Sequence, residues 1–319
     1  MIGTKKLLTA TKNSDNLQNT ILVTGGTGMV GRNLKKLLPK AAYLGSKNCN
    51  LIKQNEIKEL FSWSKYNRII HLAAKVGGLE DNMKKQYDYY YENIMMNSML
   101  LEYARTSGVK HFMAILSTCI YPSVASKYPM TEDMIDESPP APSNYGYAVA
   151  KRALASSINC VNKQYGLNYN YLIPCNLYGI NDKYGDNSHY VAALIKKIYD
   201  AKKANKKTIT LMGDGKPLRQ FMYAEDLARV IKLCIENNIT ENINVAPDEL
   251  YTIDEIAKIA LIACDAEHLK IVYKNKHLVG QHRKDCDNSK FKKLFPNFRF
   301  TTLKAGIKKT YKQYCKDNN

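Results

Sequence analysis

The sequence predicts a fold of the α/β class, a doubly wound parallel sheet followed by a smaller, mixed α/β C-terminal lobe that holds the substrate. Two observations carry this prediction. Short apolar segments alternate with helical segments at regular spacing from residue 20 to about residue 120. This alternation is typical of βαβ units, whose parallel strands are buried on both faces. The regular alternation of strands and helices ends after Asn176, so the residues beyond it suit a smaller lobe.

The predicted elements begin with a short buried strand. Residues 20–24 are apolar and β-branched, as a strand covered on both faces requires. The helix that follows ends at Pro39, because proline lacks the N–H that a helix interior needs. Further strands are predicted at 41–44, 68–72, 112–116 and 169–173, and further helices at 56–64, 82–106 and 145–165.

Composition excludes several classes of protein. No apolar run reaches the roughly 18 residues of a membrane-spanning helix, and the polar first 20 residues predict no secretion signal. The eight cysteines form no CxxC pair, which argues against zinc and disulfides and favours reduced thiols in the cytoplasm. The net charge of +18 favours anionic ligands, but no nucleic-acid-binding motif accompanies it. We therefore expect a cytoplasmic protein that binds no membrane, nucleic acid or metal.

The most informative local feature is a glycine-rich turn directly after the first strand. Gly25, Gly28 and Gly31 have the spacing that permits a tight turn, close approach to a pyrophosphate, and close packing of helix on strand. The helix that begins here offers free N–H groups to phosphate. The sequence therefore predicts a Rossmann-type dinucleotide site. Its predicted cofactor-binding residues are Gly25, Thr27, Gly28, Met29, Val30 and Gly31.

The end of the second strand indicates which dinucleotide is bound. An NAD site usually places a carboxylate there to bind the ribose 2′-hydroxyl. Residues 44–48 contain no carboxylate, whereas Ser46 and Lys47 are suited to hold a 2′-phosphate. We therefore predict NADP in preference to NAD. The expected organisation is an N-terminal arm at 1–19, an NADP-binding domain at 20–178 to which segments near 220–250 return, and mainly a substrate lobe at 179–319.

A second pattern predicts the chemistry. Tyr147 and Lys151 share one face of a predicted helix, with the ammonium near the phenol. Because a nearby cation stabilises a phenolate, we expect the pKa of Tyr147 to move from its usual value of about 10 towards neutrality. Ser117 follows the fourth strand, at the sheet edge where ligands bind, and is placed to hydrogen-bond the same substrate oxygen. Together these residues predict proton transfer to or from a carbohydrate oxygen.

Taken in order, these motifs resemble the extended short-chain dehydrogenase/reductases. The resemblance covers roughly residues 20–310. It implies that Ala73 and Ala74 line the cofactor, and that Asn176 lies where cofactor and sugar nucleotide meet. The motifs that carry it are TGGTGMVG at 24–31, HLAA at 71–74, ST at 117–118 and YAVAK at 147–151.

More specific motifs resemble the GDP-L-fucose synthase family. They are AKVGG at 74–78, STCIYP at 117–122, NSH at 187–189 and GDGKPLRQF at 213–221. This family converts GDP-4-keto-6-deoxy-D-mannose to GDP-L-fucose by epimerising carbons 3 and 5 and then reducing carbon 4 with NADPH. The resemblance also implies a homodimer formed through the helices that begin near residues 83 and 145.

The same resemblance assigns roles to individual residues. Cys119 takes the base role and His189 the acid role at carbons 3 and 5, since a thiol and an imidazole both titrate near enough to neutrality to exchange protons. Lys151 and His189 are also implied to contact the cofactor. The implied substrate contacts are Lys197 and Arg219 towards the GDP part, Lys284 near the sugar or phosphates, and Asn176 where cofactor and sugar nucleotide meet.

Three alternatives stay open. The first is a carbon-4 reductase of a related GDP-4-keto sugar, such as a 6-deoxy-heptose, that does not epimerise. The second is a sugar-nucleotide 4-epimerase with tightly held NAD. The third is an NADP-binding or interaction protein without turnover, against which the complete set of Ser117, Tyr147 and Lys151 argues.

Overall fold

A six-stranded parallel sheet forms the core of the fold. The computed structural model describes residues 18–63, 66–185, 188–275 and 281–318, so most of the predicted arm and Asn187 lie outside the described residues. The strands, in chain order, are β1 Ile21–Thr24, β2 Ala42–Leu44, β3 Arg68–His71, β4 His111–Ile115, β5 Asn170–Pro174, β6 Asn176–Tyr178, β7 Thr208–Met212, β8 Leu218–Arg219, β9 Phe221–Tyr223, β10 Ile243–Val245, β11 Tyr251–Thr252, β12 Lys270–Lys274 and β13 Arg283–Lys284. The order in the main sheet is β10-β5-β4-β3-β1-β2, with every neighbouring pair parallel. The predicted α/β class is confirmed.

Helices cover both faces of this sheet. They are α1 Met29–Leu37, α2 Gln54–Trp63, α3 Leu79–Lys84, α4 Gln86–Thr106, α5 Tyr145–Tyr165, α6 Tyr190–Lys203, α7 Ala224–Glu236, α8 Ile253–Ala263, α9 Ser289–Leu294 and α10 Leu303–Asn318. Helix α4 packs between α2 and α5, whereas α1 packs against α7. Because crossovers between parallel strands are right-handed, these two groups of helices lie on opposite faces. Strands β2 and β3 lie on opposite sides of β1, so the strand order reverses there and opens a crevice at the carboxyl end of β1.

The helix predicted at 82–106 proves to be two helices, α3 and α4. They are separated at Lys85, whose φ of −123° and ψ of 39° lie outside the helical region. The Lys85 ammonium pairs with Asp81 at 2.8 Å, and Asp81 also accepts a hydrogen bond from the Tyr89 hydroxyl at 2.5 Å. These contacts tie the end of α3 to the first turn of α4 across the break.

A second hydrophobic cluster organises the smaller lobe. Helices α6, α8 and α10 pack around the parallel pair β7 and β12. Strands β11, β8 and β13 form a small separate sheet, in which Lys284 lies beside Arg219. The residues after β13 then contact the first lobe, where the Met130 amide donates to the Asp285 carbonyl at 3.0 Å. Strand β13 is therefore fixed between the two lobes.

Some features are not found within the described ranges. None of their helices combines the length and apolar character that a membrane crossing requires. Nor do these ranges contain a cluster of three His, Cys, Asp or Glu side chains arranged to hold a metal ion. The eight cysteines are all free thiols.

Candidate active site

A cavity of about 860 Å³ opens at the carboxyl ends of β1, β3, β4 and β5. This is the sheet edge at which open parallel sheets bind ligands. The sequence-predicted residues in its wall are Gly25, Thr27, Gly28, Met29, Val30, Gly31, Ser46, Ala73, Ala74, Ser117, Cys119, Tyr147, Lys151, Asn176 and His189. The fold thus brings the glycine turn, the YxxxK pair and the cysteine–histidine pair to a single cavity.

The glycine turn has the shape that a dinucleotide requires. Gly25 has φ of +69°, and a Cβ there would lie 2.7 Å from the Ala73 amide nitrogen. A Cβ on Gly31 would lie 2.6 Å from the Gly25 carbonyl oxygen. Gly28 caps α1 without any side-chain hydrogen bond, and the first turn of α1 contains no acidic residue. Its N-terminal amides therefore remain available to a pyrophosphate, and the backbone cradle fits the predicted cofactor.

The residues beside the adenosine end of the cavity differ in part from those predicted. Ser46 lies in the wall, whereas Lys47 is exposed and does not line it. Arg32 does line the cavity, and its Nε donates to the Thr27 carbonyl at 2.9 Å. Arg32 is not among the residues predicted from the sequence, although a basic residue directly after the third glycine is a usable signal.

Ser117, Tyr147 and Lys151 converge as predicted. Ser117 lies two residues after β4 and caps a short 3-10 helix, where its Oγ accepts a hydrogen bond from the Cys119 amide at 3.3 Å. Lys151 is buried; its Nζ donates to the Ile115 carbonyl at 2.9 Å and lies 6.0 Å from the centre of the Tyr147 ring. One turn of α5 and the end of β4 therefore hold phenol, ammonium and hydroxyl at the same site.

The electrostatics of this group correct one expectation. Burial raises the pKa of the Tyr147 phenol, and the nearby Cys119 acts in the same direction, so the predicted shift towards neutrality is not found. Burial also lowers the pKa of Lys151 to about 8. At neutral pH the phenol therefore keeps its proton while most of Lys151 remains charged, so the Tyr147 hydroxyl can donate a hydrogen bond.

Cys119 meets a cation from the other end of the chain. The Lys284 Nζ donates to the Cys119 Sγ at 3.3 Å. Burial acts to raise the pKa of Cys119, but the charge of Lys284 and hydrogen bonds involving Ser117, Lys284 and Asn144 outweigh it and lower the pKa below its ordinary value. This thiol has the environment of a reactive cysteine rather than of a packing residue.

His189 also has a charged neighbour. It directly precedes α6, and its Nδ1 lies 3.5 Å from Oδ1 of Asp182. The Asp182 side chain is only 5% exposed, and its Oδ2 has no hydrogen-bond partner within the described part of the chain. Asp182, which the sequence argument did not single out, is therefore positioned to orient the imidazole.

The remaining predicted substrate contacts do not line the main cavity. The exposed Lys197 donates to the Thr210 carbonyl at 2.8 Å. Arg219 donates to the Leu218 carbonyl at 2.8 Å, and its charge faces Cys119. Lys284 is bonded to Cys119 as described above.

Comparison with known proteins agrees with this geometry. Residues 21–246 match the NAD dependent epimerase/dehydratase family. A GDP-L-fucose synthase of Dictyostelium discoideum is 35% identical, with 92% of this chain and 94% of the relative covered. A GDP-L-colitose synthase of Yersinia pseudotuberculosis is 34% identical, with 94% and 99% covered.

Among solved structures, a GDP-L-fucose synthetase of Naegleria fowleri bound to NADP is similar. It has a TM-score of 0.84 and 32% sequence identity, and 93% of each chain is covered. With 93% of each chain covered, the similarity extends over both lobes. The chain therefore belongs to the NAD dependent epimerase/dehydratase family, and within it is a relative of the GDP-L-fucose synthases.

Proposed function

We propose that this chain is an NADP-dependent enzyme that converts GDP-4-keto-6-deoxy-D-mannose to GDP-L-fucose. The observation that carries the proposal is a single cavity lined by a proton-donor set for a ketone and by a separate thiol and imidazole. A simple reductase needs only the first set, whereas inversion of carbon centres needs a base and an acid as well. The 35% identity to a GDP-L-fucose synthase supports the choice of sugar nucleotide.

The cofactor would be held by the glycine turn and α1. Gly25, Gly28 and Gly31 leave room for the pyrophosphate, and Arg32 and Ser46 supply polar groups for a 2′-phosphate. Reduced nicotinamide, when bound, supplies a hydride for carbon 4. We propose that Thr27, Met29 and Val30 lie beside the cofactor's phosphates. The proposed contacts to the rest of the cofactor are Ala73, Ala74, Lys151 and His189.

Epimerisation follows from the chemistry of the ketone. Carbons 3 and 5 flank the carbonyl, so their hydrogens are acidified by enolisation. The Cys119 thiolate accepts a proton from one face of each carbon, and His189 delivers a proton to the other face. Asp182 orients the imidazole for this transfer.

Reduction uses the other residues of the cavity. Ser117 and Tyr147 hydrogen-bond the carbon-4 oxygen, and Tyr147 gives it a proton as the alcohol forms. The Lys151 ammonium, 6.0 Å from the phenol ring, stabilises the phenolate that remains. The proposed contacts to the nucleotide sugar are Asn176, Lys197 and Arg219. We also propose that the residues before about 178 mainly bind the cofactor and those after it mainly bind the substrate.

We also propose a homodimer that acts in the cytoplasm. Large apolar side chains are exposed on α3, α4 and the start of α5, namely Met83, Tyr87, Tyr90, Tyr91 and Tyr145. Such a patch is typical of a protein–protein interface. Free cysteines, including a catalytic thiol, suit a reducing compartment. A monomer in sedimentation-velocity experiments would overturn the proposed dimer.

The test of the function is product analysis by NMR. The protein is incubated with GDP-4-keto-6-deoxy-D-mannose and NADPH in deuterated water, and we expect GDP-L-fucose with deuterium at carbons 3 and 5. A reduced product without deuterium there would favour the carbon-4 reductase. Purified protein with stoichiometric NAD and no need for NADPH would favour the 4-epimerase, and absence of turnover would favour a binding protein.

A further inference from the structure

The contact between Lys284 and Cys119 joins residues 165 positions apart in the chain. Cys119 lies in the short 3-10 helix after β4, and Lys284 lies in β13. Only the pairing of β13 with β8, and the return of the following residues to the first lobe, brings the two together. The contact is therefore a product of the tertiary fold.

Hydrogen bonds of the residues on either side of Lys284 fix the position of its backbone. The neighbouring Arg283 points to the other side of the strand, where it forms two hydrogen bonds with the buried Asp285 at 2.7 and 3.0 Å. On the other side of Lys284 in the chain, the Cys286 amide donates to the Gln220 Oε1 at 3.0 Å. With its neighbours anchored in this way, the Lys284 side chain projects towards the cavity wall and meets the sulfur.

We propose that Lys284 is a positioning residue that holds Cys119 as a thiolate, the form that can remove a proton from the sugar. In that step the carbon–hydrogen bond breaks, its electron pair forms the enolate, and the proton forms an S–H bond on Cys119. The assignment of this step rests on the proposed function. The contact itself does not, because it joins two side chains of the chain alone.

The other groups around the sulfur agree with this assignment. Arg219 is a second cation facing Cys119, but its guanidinium is bonded to the Leu218 carbonyl rather than to the sulfur. Tyr147 faces the same sulfur as a neutral phenol, and Ser117 and Asn144 supply uncharged hydrogen bonds. Cys175 is close enough to feel the charge of Lys284, but burial raises the pKa of that thiol. Lys284 is therefore the cation that bonds directly to the thiol with the lowered pKa.

A role for Lys284 in binding substrate is compatible with this assignment. An ammonium has three N–H donors, and the bond to Cys119 uses one of them. Among the residues that the structure describes, the other two donors have no protein acceptor, so they are available to a sugar or phosphate oxygen. One side chain can therefore activate the base and attract the anionic substrate.

The experiment measures the titration of Cys119 without any substrate. Cys119 is alkylated by iodoacetamide across a pH series, and its modification rate is followed by peptide mass spectrometry so that the other cysteines do not interfere. The thiolate attacks the CH₂ group and iodide leaves, so the rate follows the thiolate fraction. The variants are Lys284→Gln, Lys284→Arg and, as a matched control, Lys293→Gln, which removes an exposed lysine of α9.

We expect the wild-type midpoint to lie below that of free cysteine in the same buffer. An opposite charge at this range changes a pKa by about 1–3 units, so Lys284→Gln should raise the midpoint by about one unit or more. Lys284→Arg and Lys293→Gln should stay near the wild type. In deuterated water, Lys284→Gln should also slow deuterium exchange at carbons 3 and 5 at neutral pH by about tenfold, and recover part of it at higher pH.

Two results would overturn the proposal. One is a wild-type midpoint at or above that of free cysteine, a measurement that needs no variant and therefore stands even if Lys284→Gln fails to fold. The other is an equal shift in Lys284→Gln and Lys293→Gln, which would mean a general effect of protein charge. A failure of the proposed function alone would instead leave the low midpoint intact but give no GDP-L-fucose.

Discussion

Replacement of Gly31 by alanine tests whether the glycine turn is a cofactor cradle. The added Cβ would lie 2.6 Å from both the Gly25 carbonyl oxygen and the Gly26 Cα, whereas ordinary Cβ contacts are 3.4–4 Å. Both obstacles are backbone atoms, so a side-chain rotation cannot relieve the clash and the turn itself must move. Overpacking of this kind costs about 1–3 kcal/mol. If all of it is lost from cofactor binding, the Kd for NADPH rises roughly 5- to 150-fold.

The assay is a fluorescence titration of NADPH, with the melting temperature measured in parallel. Gly166→Ala is the matched control: Gly166 has φ of +66° at the end of α5, but a Cβ there meets nothing within 4 Å. Gly166→Ala should lower the free energy of unfolding by about 1–2 kcal/mol, because alanine is strained in the left-handed conformation, and it should leave the Kd for NADPH unchanged. The reasoning is refuted if Gly31→Ala binds NADPH like the wild type, or if both variants weaken binding equally.

Three further predictions concern charged groups around the cavity. Because the pKa of Lys151 is lowered to about 8, its ammonium loses a proton as pH rises through that value, and kcat/KM for reduction should fall there. A kcat/KM that stays constant up to the pH at which the protein unfolds would contradict this. Arg32→Gln should weaken NADPH binding about tenfold or more and leave NADH binding unchanged, since a hydrogen bond to a charged group contributes about 1.5–3 kcal/mol. Equal losses of affinity for both cofactors in titrations would mean that Arg32 does not contact the 2′-phosphate. Asp182→Asn should reduce kcat for epimerisation about tenfold and leave KM for NADPH unchanged, because Asp182 contacts the imidazole and not the cofactor. The loss is part of the roughly 100- to 10,000-fold that a positioned proton donor contributes. An unaltered deuterium-exchange rate would remove Asp182 from the mechanism.

The parts of the site that the sequence predicted are those encoded locally. The turn from Gly25 to Gly31 joins β1 to α1 within seven residues, and the pair Tyr147 and Lys151 lies on one helix, so residue spacing fixes the geometry of each. The carboxyl ends of parallel strands meet at one edge, which is why Ser117 joins them.

The parts that escaped prediction depend on tertiary structure. The bond from Lys284 to Cys119 requires the pairing of β13 with β8, and spacing carries no signal for it. The pKa of Tyr147 is raised rather than lowered, because burial, which is a property of the whole fold, disfavours the phenolate and the nearby Cys119 acts in the same direction. The break at Lys85 likewise reflects contacts of Asp81 that apolar periodicity does not reveal.

The central claim is that one cavity holds two separable proton-transfer sets. The most direct test uses Tyr147→Phe with GDP-4-keto-6-deoxy-D-mannose and NADPH in deuterated water, followed by NMR and by NADPH absorbance. Deuterium should still enter carbons 3 and 5, because Cys119 and His189 are intact, while oxidation of NADPH should fall by about 100-fold or more. Undiminished oxidation of NADPH, or loss of deuterium exchange in step with reduction, would contradict the account.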